Sequence, residues 1–276
     1  MMLADYPLDD SAVVMDSALA DRDGPAAVVL ASGKGGVGKS VLTVTLGSVL
    51  ADSGRRVLLL DGSQNLGNLH ILLGCSNFGR MDALLAGEAA PEDMLNCVSD
   101  NLWLLPSDSG GESVYSLNPI DRARLHYSLS NLYQGFDSVV VDAGPSIEDV
   151  VRLCTIRASG LVIVTMAEPT ALADAYAVVK IVSSRVPGLA MGVLVNQVVD
   201  EAEGRAAFDR LAHAGKRFLG LQLSYIGSVP DDPALQSAAK RPDRSRQWGS
   251  LGEAAQALRA IVADRPDFFS WSTTQR

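Results

Sequence analysis

An octet near the start of the chain, Gly33-Lys34-Gly35-Gly36-Val37-Gly38-Lys39-Ser40, limits the available folds more than any other segment. It fits the spacing G-x-x-x-x-G-K-[ST], and its flanks supply the context that this spacing needs. The apolar run Ala26-Ala27-Val28-Val29-Leu30-Ala31 ahead of it reads as a buried strand. Leu42, Leu46, Val49 and Leu50 behind it recur at helical spacing. A strand that delivers a glycine loop to a helix N-terminus makes a cradle for phosphate. The glycines let backbone N–H groups converge on phosphate oxygens, and the helix dipole favours negative charge there. Gly33, Gly35, Gly36, Val37, Gly38, Lys39, Ser40 and Val41 are therefore the expected nucleotide-binding residues. Lys39 would reach the β- and γ-phosphates, and the Ser40 hydroxyl would sit on Mg²⁺.

Bulk properties bound the rest. A chain of 276 residues, 47% hydrophobic and 20% charged, has room for one doubly wound domain with a large core. No apolar stretch reaches the length of a membrane span, and the acidic start with Asp5, Asp9 and Asp10 is unlike a signal peptide. Cys75, Cys97 and Cys154 are odd in number and widely spaced, which reads as reduced thiols in a cytoplasmic protein. The net charge of −9 disfavours direct nucleic-acid binding.

Residues 1–24 are acidic and carry no strand pattern, so they are expected to form a flexible appendage. Leu8, Ala12, Met15 and Leu19 recur at helical spacing, and a short partner-binding helix is the alternative. From there strand-like runs at 26–32, 56–61, 101–105, 137–142, 160–166, 189–195 and 222–229 alternate with helical patterns. This predicts an α/β fold: a doubly wound, mainly parallel sheet with helices on both faces, over a single domain at 25–265. The run Ser138-Val139-Val140-Val141-Asp142 would place Asp142 at a strand's carboxyl end, beside the loop, where it can hold Mg²⁺ through water. Lys240, Arg241, Arg244 and Arg246 read as a solvated basic loop. Trp248, Leu251, Ala255, Leu258 and Val262 form an apolar helical stripe expected to pack on the sheet. The tail at 266–276 carries Phe268, Phe269 and Trp271 near a terminus, which suggests contact with a membrane interface or with a partner.

The lysine directly after the first glycine narrows the class. Lys34 makes the segment resemble the deviant P-loop KGGVGK[ST] of the MinD/ParA family, a branch of the SIMIBI-type P-loop NTPases. That resemblance implies ATP and Mg²⁺ as ligands and a homodimer bridged by ATP, with Lys34 reaching the partner's nucleotide. The stretch Asp61-Gly62-Ser63-Gln64-Asn65-Leu66-Gly67-Asn68-Leu69-His70 is similar to the family's D-x-D-x-G-L-x-N-L-D. Asp61, Leu66, Asn68 and Leu69 match. Ser63 replaces the switch I Asp that orients the attacking water, Asn65 replaces Gly, and His70 replaces the last Asp. Switch II, D-x-[PA]-[AP]-G-I, is similar to Asp142 through Ile147, with Ser146 in the place of its glycine. Glu168-Pro169-Thr170-Ala171-Leu172-Ala173-Asp174-Ala175-Tyr176 resembles the EPTSITDAY stretch of the flagellar-number regulators, the FlhG/FleN/YlxH branch. Asn196 resembles the adenine-side Asn. Gly227-Ser228-Val229-Pro230-Asp231 is similar to the adenine-side loop G-x-[IV]-P-x-D, with Asp232 in its acidic place.

The resemblance implies an ATP-binding dimerisation switch regulating flagellar number or placement through a protein partner, a transcriptional activator or an apparatus protein. Lys34, Lys39 and the degenerate Ser63 hold the catalytic positions; Asn196 and Pro230 join the loop in binding ATP; Ser40, Asp61 and Asp142 hold the metal. A serine hydroxyl carries no charge and is a poor base, so hydrolysis is expected to be slow. Glu148, Asp149 and His70 stand near enough in sequence to substitute. The rival readings are an active ParA/BcsQ-like positioning ATPase and a non-hydrolysing ATP-bound scaffold for a secretion, pilus or polysaccharide apparatus. Peripheral membrane contact is open but unsupported, because the C-terminal stripe lacks a cationic excess.

Overall fold

The computed structural model describes residues 27–63, 67–75, 89–106, 119–155, 158–241, 243 and 247–269, without the side chains of 119–122 and 267. The N-terminal appendage, Gln64 to Leu66, Arg244, Arg246 and Trp271 lie outside the described residues.

The strands are β1 (Ala27–Ala31), β2 (Val57–Gly62), β3 (Asn96–Ser99), β4 (Leu102–Leu105), β5 (Ser138–Ala143), β6 (Ala158–Thr165), β7 (Ala190–Val198) and β8 (Ser224–Pro230). They form one sheet in the order β3-β4-β2-β5-β1-β6-β7-β8. Every pairing is parallel except β3 with β4. The inner strands carry apolar runs, AVVLA in β1 and LVIV within β6, as expected of strands covered on both faces. All seven expected runs are strands. The eighth, β3, was not anticipated. Its sequence, Asn96-Cys97-Val98-Ser99, has no apolar run, and it exists through antiparallel pairing with β4 at the sheet's edge.

Helices cover both faces. One face carries α3 (Pro119–Tyr133), α4 (Ile147–Thr155), α5 (Pro169–Arg185) and α6 (Glu201–Leu219); their Leu129, Val150, Val179 and Ala207 share a core with Val29, Val141 and Val193. The other face carries α1 (Lys39–Asp52), α2 (Leu69–Leu72), α7 (Pro233–Ala239) and α8 (Gly252–Asp264), with Leu46, Leu69, Leu235 and Leu258 packed on Leu30, Leu59 and Val140.

The C-terminal stripe lies on this second face as expected. Trp248, Ala255, Leu258 and Val262 are buried, and α8 packs against α1 and β8. The aromatic tail differs from expectation. Phe269, in α9 (Pro266–Phe269), is buried, and its carbonyl accepts hydrogen bonds from Arg55 (3.1 Å) and the Ser138 hydroxyl (3.2 Å). Phe268 lies over Gly160 and Gly192, where an added Cβ would come within 3.2 and 3.1 Å of its ring. These two aromatics therefore complete the core; they are not presented to a membrane or a partner. Among the described residues no helix is long and apolar enough to cross a membrane.

Candidate nucleotide site

The site lies where the strand order reverses around β1, at the carboxyl ends of the strands. β1 ends at Ala31 and feeds the glycine loop, and α1 begins at Lys39. The loop turns through Gly36 (φ 81°) and Gly38 (φ 87°), the latter at the N-cap of α1; side chains rarely adopt this conformation. Gly38 is constrained twice. A Cβ there would also stand 2.5 Å from the Asn196 side-chain nitrogen. Gly33 is pressed against α5, and a Cβ would fall 2.2 Å from the Asp174 carbonyl oxygen. Gly35 and Gly36 face open space, so the loop is clamped at both ends and free in the middle.

Parallel register brings the predicted metal residues together. Asp142 pairs with Leu30 on one side and with Asp61 on the other. The Lys39 ammonium lies 2.5 Å from Asp142 Oδ1 and also donates to the Ala143 carbonyl. The Thr43 hydroxyl lies 3.3 Å from the same Asp142 oxygen and 3.0 Å from the Lys39 carbonyl. Sequence reading missed Thr43, although its place one turn after Lys39 was a usable signal. Asp61 accepts backbone N–H groups from Ser63 and Leu69, each at 3.1 Å. It thereby ties the end of β2 to the start of α2. Burial raises the Asp61 pKa above 3.8, with the Asp142 charge adding in the same direction and the hydrogen bonds from Leu69 and Ser63 opposing.

These donors suit a magnesium–nucleotide. Two neighbouring carboxylates and the Ser40 hydroxyl are hard oxygen ligands of the kind Mg²⁺ takes alongside phosphate and water. Among the described residues no cluster of three or more His, Cys, Asp or Glu side chains is arranged to hold a metal by itself.

The remaining predicted residues are placed as follows. Lys34 bonds within its own chain, to Glu168 Oε2 at 2.7 Å and to the Thr170 hydroxyl at 3.4 Å. The EPT segment, which sequence reading carried only by resemblance, thus has a physical partner in the glycine loop. Asn196 is buried at the end of β7, and its side-chain NH₂ donates to the Val37 carbonyl at 2.8 Å; it supports the loop from below. The next residue, Gln197, has φ 57°, a strained bend that β-strand periodicity did not reveal. Pro230 closes β8. Asp232 accepts the backbone N–H groups of Ala234, Leu235 and Ala254 and so pins α7 and α8 together. Val41, in the first turn of α1, is partly buried.

Both switches carry side chains where the family pattern has other residues. Ser63 follows β2, its N–H directed back onto Asp61. Ser146 precedes α4 and accepts the Asp149 N–H at 3.1 Å, a side-chain cap worth about 1 kcal/mol to a helix start. Among the three substitutes, Glu148 is exposed and Asp149 is buried. Asp149 packs so close to Gly144 that a Cβ there would meet Oδ2 at 2.3 Å, and burial raises its pKa above 3.8. His70 keeps Nδ1 buried without a hydrogen-bond partner.

The description "CobQ/CobB/MinD/ParA nucleotide binding domain" belongs to a family model that matches residues 28–243. The chain belongs to this family. It is 32% identical over 235 residues to the antiactivator FleN of Pseudomonas aeruginosa, covering 85% of this chain and 84% of that one. It is 30% identical over 210 residues to the flagellum site-determining protein YlxH of Helicobacter pylori, covering 76% and 71%. Among solved structures it is similar to MinD in the MinC:MinD cell division complex of Aquifex aeolicus, with TM-score 0.68, 26% identity and coverage of 91% and 99%. The matched span contains the clamped loop together with Lys39, Asp61 and Asp142.

Proposed function

We propose that this chain is an ATP–Mg²⁺-dependent dimerisation switch of the cytoplasm, acting on a protein partner in flagellar number or placement and hydrolysing ATP slowly. The observation that carries this reading is the contrast between the two halves of the site. Lys39, Thr43, Asp61 and Asp142 lie together, with Ser40 next to Lys39 at the start of α1, a grouping that supports a phosphate and metal role. Position 63, where a carboxylate would orient water, holds a serine whose N–H is turned onto Asp61. The names of the relatives, antiactivator and flagellum site-determining protein, supply the process.

The internal Lys34–Glu168 pair is compatible with a trans role for Lys34. Both side chains are about half exposed, and such pairs contribute roughly 0–1 kcal/mol, so an ATP phosphate across a dimer interface can outcompete Glu168. Loss of a water-positioning group costs about 10²–10⁴ in rate, or about 3–5 kcal/mol of barrier. The test pairs two measurements on purified protein: ATP turnover of wild type and Ser63→Asp, and the sedimentation coefficient with and without ATP. The reading expects weak turnover raised at least tenfold by Ser63→Asp, and an ATP-dependent dimer that Lys34→Ala abolishes. Ordinary family turnover unaffected by Ser63→Asp would favour a positioning ATPase. ATP retained through purification by a protein that stays monomeric would favour a scaffold.

A further inference from the structure

The end of the molecule away from the glycine loop carries an unpaired basic edge. Helices α5 and α6 run from the loop end of the sheet back to the end where the strands begin, α5 before β7 and α6 before β8. Towards that end they carry Lys180, Arg185, Arg210, Lys216 and Arg217, and neither 175–199 nor 210–230 contains an acidic residue. No carboxylate pairs with any of these cations among the described residues. Phe218 stands among them 67% exposed, with the Arg217 guanidinium 5.3 Å from its ring centroid. A basic, aromatic-bearing edge on a chain of net charge −9 is complementary to an anionic, partly apolar segment.

We propose that the edge is covered by this chain's own acidic N-terminal segment, residues 5–23, seated on the Arg210–Phe218 end of α6. Asp5, Asp9, Asp10, Asp16, Asp21 and Asp23 against Arg22 give the segment a net charge of −5, more than half of the chain's −9. Leu8, Ala12, Met15 and Leu19 recur at helical spacing, so a helix there presents one apolar stripe for Phe218 and acidic flanks for the cations.

The reach fits. The segment enters the fold at Ala27, which opens β1 at the same edge, two strands from β7. Strands lie about 4.8 Å apart and a packed helix about 10 Å off the sheet, so the gap is roughly 15 Å. Residues 20–26 extended span up to about 23 Å, enough to place Leu8–Leu19 on α6 without a long loop. Tethering at such a distance gives an effective concentration of about millimolar, so weak individual contacts suffice. An anionic membrane is the poorer fit, because Phe218 is the one large exposed apolar side chain at this edge among the described residues. Any acidic ligand for this edge must displace the segment first.

The segment carries its own probe, a trypsin site after Arg22. Release of peptide 1–22 from the full chain, followed by mass spectrometry at low protease, is expected to be slow at low salt. Lys216→Glu with Arg217→Glu, or 0.5 M NaCl, should speed it about tenfold, because surface charge pairing is screened by salt. Phe218→Ser should speed it several-fold, and the urea midpoints of all variants should match wild type. Equal release from wild type and the charge-reversed variant, or a rate that depends on protein concentration, overturns the proposal. So does sedimentation of the full chain with phosphatidylglycerol vesicles that Lys216→Glu with Arg217→Glu abolishes, which would make the edge a membrane face.

Discussion

The Lys39–Asp142 pair offers a measurable test of how the site is held together. Its side chains are 11% and 1% exposed and meet at 2.5 Å. Breaking a buried pair from one side costs about 3–5 kcal/mol, because the remaining charge loses its partner. Asp142→Asn should fall just below that range, about 2–3 kcal/mol, since Lys39 keeps the Ala143 carbonyl and a little solvent. Lys39→Met should cost about 3–4 kcal/mol, since it leaves Asp61 and Asp142 side by side in register with no cation between them. The double variant removes both the charge and its partner, so the losses should not add. A coupling of about 2–3 kcal/mol is expected from the four-protein cycle.

The assay is urea unfolding of nucleotide-free protein at pH 7, with the slope unchanged across the cycle so that midpoints report stability. Lys39→Met carries a second signature. Asp61, already raised above the ordinary carboxylate pKa by burial and by Asp142, should rise further without the ammonium. A native-state pKa above the unfolded value means that the folded protein binds more protons in that window, so this variant should regain stability as pH falls from 7 towards 4. A coupling below about 0.5 kcal/mol, or a Lys39→Met profile parallel to wild type, would refute the claim that Lys39 offsets the carboxylate charge of the site.

Other expectations follow from single contacts. In wild type, Asp61 and Asp149 both have raised pKa values from burial, so each contributes stability as pH falls through its folded pKa towards the unfolded value near 4; Asp61→Asn should flatten that rise in a pH series of midpoints. Phe269→Ala empties a buried position and should cost about 3 kcal/mol in urea unfolding; a change within 0.5 kcal/mol would return the tail to the surface. Glu168→Gln removes an exposed partner of Lys34 and should leave the urea midpoint unchanged while strengthening ATP-dependent dimerisation a few-fold; weaker dimerisation would assign Glu168 to the interface itself. Chelating Mg²⁺ should weaken nucleotide binding at least tenfold by calorimetry, since Asp61 and Asp142 then face the phosphates without a cation.

Much of this molecule is written in local patterns. The seven apolar runs became strands because they are covered on both faces, including β8 at the sheet's far edge, which α6 and α8 flank, the condition under which hydrophobicity alone is informative. Asn96–Ser99 escaped because an edge strand is defined by its neighbour's free hydrogen-bonding groups and not by its own composition. The tail misled for a related reason. Its aromatics are plain in the sequence, but the flat seat made by Gly160 and Gly192 is assembled from two strands thirty residues apart. Motif spacing brought Lys39, Asp61 and Asp142 to one place because each ends a strand or opens a helix. It could not place Lys34 against Glu168 or Asn196 against Val37, which are contacts between segments 134 and 159 residues apart.

Those long-range contacts decide how the site can switch. Asp142 touches Lys39 and Thr43 at the base of the loop and stands in register with Asp61. Asp61 in turn holds Leu69 at the start of α2. Lys39 and the start of α2 are thus linked through two neighbouring carboxylates. Lys39 cannot serve Asp142 and a nucleotide's phosphates equally. Were it to turn to phosphates, Asp61 and Asp142 would be left as adjacent like charges that a divalent cation would offset. On the proposed reading, the residues that hold Lys39 in the nucleotide-free protein would make metal and nucleotide binding interdependent. Ser63, hydrogen-bonded to Asp61 through its N–H, sits on that path without adding a charge to it.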